Sequence, residues 1–142
     1  MPIDEAAAAV IAATAASMAL IGARLLGGGD LGCVVDRASG TVSTFTGDVG
    51  AGRVSVYDRT TDCWVVGRCE DGEGPLWLYH QGTTGYLTLT PAGPGRLRGH
   101  DHTGHAAFEV LTSTAGDVVE VLDHGSGRRH DFLVHRADEL AA

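Results

Sequence analysis

Histidine is the residue type in this chain that invites a chemical reading. Seven are present, at positions 80, 100, 102, 105, 124, 130 and 135. The segment GHDHTGHAAFE, residues 99–109, gathers His100, His102, His105 and Glu109. An HxH pair on a strand turns two imidazoles to the same face, a common beginning for a metal site. The candidate ligands are His80, His100, His102 and His124. Neutral histidine is also a plain polar group for turns and surfaces, and that simpler duty ranks ahead. No metal and no cofactor is therefore assigned.

The HxH spacing with a following Glu is faintly similar to the first motif of the cupins. Glu109 lies farther from His102 than that motif has it, and no second motif follows. Other constellations carry less. Ser, His and Asp all occur, but no GxSxG marks a nucleophile elbow. The glycines of GDVGAG (47–52) connect two strand-like runs and open no helix, so the dipole that holds phosphate is missing. Asp138 and Glu139 sit in a polar tail. The aromatics Tyr57, Trp64, Trp77, Tyr79 and Tyr86 recur at equivalent places, where core packing and cross-strand pairing explain them. No catalytic residue emerges.

Composition bounds what must position these groups. A chain of 142 residues with 44% apolar residues buries a core of its own. The formal net charge of −8 argues against nucleic acid or an anionic membrane as partner. All ten basic residues are Arg and no Asn occurs, a pattern that codon bias explains better than Arg-specific chemistry. Cys33, Cys63 and Cys69 form neither a disulfide framework nor a zinc ribbon. A Cys63–Cys69 pair is the alternative in a secreted protein; small buried hydrophobes in a reducing cytoplasm are the preferred reading.

Residues 6–26 read AAAAVIAATAASMALIGARLL, with ten alanines and no proline, and predict a helix. Acidic Asp4 and Glu5 precede it, Arg24 lies near its end, and Gly27 to Gly29 stop it. Ile11, Thr14, Met18, Ile21 and Leu25 recur at steps of three and four and predict an apolar seam on one face. A soluble helix ranks ahead of a membrane span over residues 6–26, because alanine is barely apolar and Arg24 lies inside the span. A signal peptide ranks last, because the run begins with acids.

From residue 31 a different pattern takes over. Five segments align: VVDRASGTV (34–42), VYDRTTDCW (56–64), LYHQGTTGY (78–86), GHDHTGHAA (99–107) and VLDHGSGRR (121–129). Their third residues, Asp36, Asp58, His80, Asp101 and Asp123, are separated by 22, 22, 21 and 22 positions. Each unit reads strand, turn, strand. Val54 and Val56, Leu76 and Leu78, and Val119 and Val121 point to one side, while Ser55, Trp77 and Glu120 point to the other. Asp at the turn can accept hydrogen bonds from amides just ahead, and His80 less well. On the second strands Trp64 and Val66, Leu87 and Leu89, Phe108 and Val110, and Phe132 and Val134 supply the apolar side. The fourth unit is the least strand-like, with Arg98 and Gly99.

The expected fold is mainly β. About ten short antiparallel strands form five hairpins, as a barrel or sandwich, after one Ala-rich helix. The organisation is 1–29 helix and Gly linker, 30–136 hairpin-repeat domain, 137–142 polar tail. Equivalent turns lie along one rim, which would let His80, His102 and His124 converge. Three functions follow, in order. The first is a non-catalytic interaction or assembly module that self-associates or docks on a protein through its helix. The second is a small-molecule-binding barrel, such as an enclosure for a cyclisation or isomerisation. The third is a metal-dependent enzyme using the histidines.

Overall fold

The computed structural model describes residues 5–27, 31–50, 52–69, 75–102, 106–113, 117–124 and 127–136, and of residues 5–13, 27, 31 and 136 the backbone alone. One helix, α1 (Glu5–Gly27), precedes ten strands. These are β1 (Leu31–Asp36), β2 (Val42–Val49), β3 (Arg53–Asp58), β4 (Cys63–Arg68), β5 (Leu76–His80), β6 (Gly85–Pro91), β7 (Arg96–Asp101), β8 (Ala106–Thr112), β9 (Val118–Asp123) and β10 (Arg129–Arg136). Each strand pairs antiparallel with its neighbours in sequence, and β1 pairs with β10, Val34 opposite Val134. The sheet is therefore a closed up-and-down barrel, the solution that leaves no edge unpaired.

Each sequence repeat pairs as one hairpin, so the described turns fall at one rim of the barrel. The local cause is visible in the backbone. Asp36 Oδ1 accepts the amides of Ala38 and Ser39, and Asp58 Oδ1 those of Thr60 and Thr61. His80 Nδ1 accepts the Thr83 amide at 3.2 Å. Four residues after Asp36, Asp58, His80 and Asp123 stand Gly40, Asp62, Thr84 and Gly127, all left-handed with φ of 75°, 55°, 52° and 72°. The turn is thus one device used repeatedly: a side-chain acceptor at its start and a left-handed residue at its end.

Strand alternation sends one set of side chains inward. Val54, Val56, Leu76, Leu78, Leu87, Leu89, Phe108, Val110, Val119, Val121, Phe132 and Val134 are all buried, as the alternation predicts. In β4 the expected parity is reversed. Asp58 faces inward and stands directly opposite Cys63, so Cys63 and Val65 take the inner face and Trp64 and Val66 the outer. All four residues from Cys63 to Val66 are apolar, so hydrophobicity alone did not set the side; the pairing did. In β7, Gly99 lies opposite Phe108, and a Cβ at Gly99 would stand 2.2 Å from the Phe108 ring. The missing side chain is the space the ring occupies.

The helix lies inside this barrel. Nine consecutive residues, Ala15 to Ala23, are buried. That is more than two turns, so no side of this stretch faces water. They share one core with inward side chains from all ten strands. The seam expected on one face is accordingly absent as such. Met18 and Ile21 are buried, but so are Ala16, Leu20 and Ala23 on other sides, while Thr14 and Leu25 are only partly covered. The side chain of Ile11 lies outside the described residues.

Eight strands enclose a lumen that side chains alone fill, whereas ten leave a wider one. A helix of small residues fits that width, which is the physical reason for the alanines. Gly22 shows how tight the fit is: its Cβ would lie 2.6 Å from Val110 Cγ1. At the linker rim Arg24 Nη1 donates to Gly47 O at 2.9 Å. Among the described residues no helix is long and apolar enough to cross a membrane.

Candidate functional site

The histidines do not converge. His80 ends β5 on the inward face and is buried. His100 lies in β7 on the outward face and His102 just past its end, exposed. The reason is an offset of one residue. Asp36, Asp58, His80, Asp101 and Asp123 are equivalent and point inward, whereas His102 and His124 follow that position by one and fall on the other side of the wall. As expected of an HxH pair, His100 and His102 share a face, with ring centroids 4.5 Å apart. His124 Nε2 lies 3.6 Å from Glu109 Oε1, a carboxylate that Arg96 also holds. His105 lies outside the described residues. Among those described, no group of three His, Cys, Asp or Glu side chains is arranged to hold a metal ion. Cys63 opens β4 and Cys69 directly follows its end, so the two lie about 20 Å apart, far beyond the reach of a disulfide.

What the structure does bring together is an aromatic wall on the outside of β3 to β7. Pairing register places the residues in rows. One row runs Arg53, Arg68, Trp77, Thr88, His100; the next runs Ser55, Val66, Tyr79, Tyr86; a third joins Tyr57 to Trp64. Neighbours across strands touch: Tyr57 with Trp64 and Tyr79 with Tyr86, each at 5.1 Å between ring centroids. Trp77 stacks on His102 at 4.8 Å, with the planes 20° apart. His102 is fixed from below, its Nε2 lying 3.1 Å from Thr88 Oγ1. Cross-strand pairing therefore explains the aromatics, as expected, but core packing does not. Trp64, Trp77 and Tyr86 are 45%, 49% and 54% exposed.

The charge of this wall differs from that of the chain. Its outward strand positions carry Arg53, Arg68, Arg96 and Arg98 and no carboxylate, in a chain of formal net charge −8. Arg53 and Arg68 stand directly opposite each other, an arrangement that weakens strand pairing. Exposed Trp and Tyr beside Arg is the composition of protein contact surfaces. The alternation gave the outward direction of Trp77, but the wall itself escapes a linear reading, because its rows come from five strands.

The inner face of the hairpin rim is the second polar place. Asp58 is fully buried: its Oδ1 is taken by the two turn amides, and its Oδ2 has no partner among the described residues. Burial holds His80 below the usual histidine range, against the opposing pull of Asp58 and Asp101. Cys63 Sγ lies 3.1 Å from Thr61 Oγ1 nearby.

The sequential strand order differs from the jelly-roll arrangement of the cupins, so the HxH spacing brings no cupin fold with it. No protein family, curated protein or solved structure was found to match this chain.

Proposed function

We propose that this protein is a non-catalytic assembly module that associates with further copies of itself through the outer wall of β3 to β7. The observation that carries the reading is the row of exposed aromatics edged by arginines in an acidic chain. Arg53 and Arg68 repel each other across the wall, and the acidic surface of a second copy offers them carboxylates. Such a contact is head-to-tail, wall against a different, acidic surface. The wall spans five strands about 4.8 Å apart, roughly 20 Å, a small face that suits transient, concentration-dependent association.

The alternatives draw less support. The helix and core side chains take the interior that a small-molecule barrel would need. The stretch Ala15–Ala23 is enclosed, so association is assigned to the wall rather than to that part of the helix. The buried thiols Cys33 and Cys63 favour a reducing cytoplasm as the setting.

Light scattering over a concentration series at low salt tests the proposal. The apparent mass of the wild type should rise with concentration, less so at high salt. Arg53→Glu should abolish the rise yet make the monomer more stable by about 0.2–1 kcal/mol, because it converts a like-charge pair into an opposite one. A wild type that stays monomeric throughout, or a variant that associates equally well, would overturn the reading.

A further inference from the structure

Independently of the outer wall, the structure places two unsatisfied polar atoms on the inner face of the hairpin rim. Asp58 and His80 are 0% and 1% exposed, and both point inward from strands that flank β4. The His80 ring accepts the Thr83 amide through Nδ1, so when neutral it carries its proton on Nε2. Burial favours that neutral form. Nε2–H is thus a donor, Asp58 Oδ2 is an acceptor, and neither has a partner among the described residues. Asp58 is also the nearby charge that acts most strongly on His80.

We propose that Asp58 and His80 together form a receptor for a single hydroxyl group. The group that suits them accepts one hydrogen bond, from His80, and donates one, to Asp58. A hydroxyl does both. An ammonium has no lone pair for His80, a ketone has no proton for Asp58, and an anion meets the charges of Asp58 and Asp101. The same chemistry has two sources, a trapped water or the hydroxyl of a small neutral alcohol. The other repeats show that this is no requirement of the turn. Asp36, Asp101 and Asp123 occupy the places equivalent to His80, and only the third repeat has an imidazole there.

The test is nitrogen-15 NMR of the full chain, observing the His80 ring, with methanol and ethylene glycol as probes. The proton should sit on Nε2 and exchange at least tenfold more slowly than that of an exposed histidine. A saturable shift of the ring signals on adding alcohol identifies a ligand hydroxyl. A persistent water cross-peak to the Nε2 proton, unmoved by alcohol, identifies water as the occupant; either result supports the receptor. Asp58→Asn keeps an oxygen for the Thr60 and Thr61 amides but replaces the second acceptor with a donor, and should abolish either signature. A proton on Nδ1, a direct Nε2–H to Oδ2 bond, or exchange as fast as at an exposed ring would overturn the proposal. These three are read in the wild type and do not depend on the variant folding.

Discussion

Gly22→Ala separates an enclosed helix from one that lies on a surface. In an exposed helix interior this change stabilises by about 1 kcal/mol, since glycine has the freer backbone. Here the new Cβ would lie 2.6 Å from Val110 Cγ1, 3.4 Å from Val110 Cβ and 3.5 Å from Leu97 Cδ1. Carbon atoms prefer roughly 3.5–4 Å, so the closest contact overlaps by about 1 Å. Val110 is fully buried in the barrel wall and has little room to yield. Overpacking of this kind costs about 1–3 kcal/mol, which outweighs or cancels the propensity gain and leaves a net loss of about 0–2 kcal/mol. Val110→Ala removes the obstructing methyls and alone costs about 2–3 kcal/mol through lost burial and a cavity. In that background Gly22→Ala should recover its gain, so the double-mutant cycle should show a favourable coupling of about 1–3 kcal/mol. Urea unfolding of the four proteins, followed by circular dichroism, measures this. A stabilising Gly22→Ala in the wild type, with additive effects in the double variant, would refute the enclosure of the helix against β8.

Two further predictions concern the hairpin turns. Thr84 is β-branched and left-handed where Gly40 and Gly127 occupy equivalent places; Thr84→Gly should raise stability by about 0.5–1 kcal/mol in urea unfolding, the left-handed cost of about 1–2 kcal/mol being partly offset by glycine's entropy. Burial holds the folded pKa of His80 below the ordinary histidine value of about 6.5, so between that value and the lower one the unfolded chain binds a proton that the folded one does not. Stability should therefore fall as pH drops through this window, by at most about 1.4 kcal/mol per pH unit, with no contribution above it. His80→Asn, which keeps an acceptor for the Thr83 amide, should remove that part of the slope. An unchanged difference between the two proteins across the window would contradict the buried neutral ring.

Much of the fold is legible in the residues because the turn is a local device. Asp36, Asp58, His80 and Asp123 announce hairpins through interactions that span only a few positions, so their spacing survives in a linear reading. Closure does not, since it depends on the pairing of β1 with β10, about a hundred residues apart. The alternating faces were readable wherever polar and apolar residues alternate, as in Val54 to Val56, and unreadable in the uniformly apolar Cys63 to Val66. The helix was plain, its surroundings were not. Alanine raises helix propensity whether the helix is exposed or enclosed, and only the width of a ten-stranded lumen gives the small residues their second meaning. The convergence of His80, His102 and His124 fails on a single-residue offset: one position past His80's equivalents, His102 and His124 lie across the wall from it. The aromatic wall and the Asp58–His80 pair both arise from strands brought together by register, which one sequence does not display.

Both tryptophans of the chain, Trp64 and Trp77, lie on the proposed contact wall and are about half exposed. Their intrinsic fluorescence therefore reports on that surface alone. The decisive measurement follows the emission maximum and acrylamide quenching of the wild type as its concentration rises, alongside its mass by light scattering. Association through the wall predicts a shift to shorter wavelength and weaker quenching that rise together with mass. A rising mass with unchanged tryptophan emission and quenching would place the contact elsewhere and contradict the account.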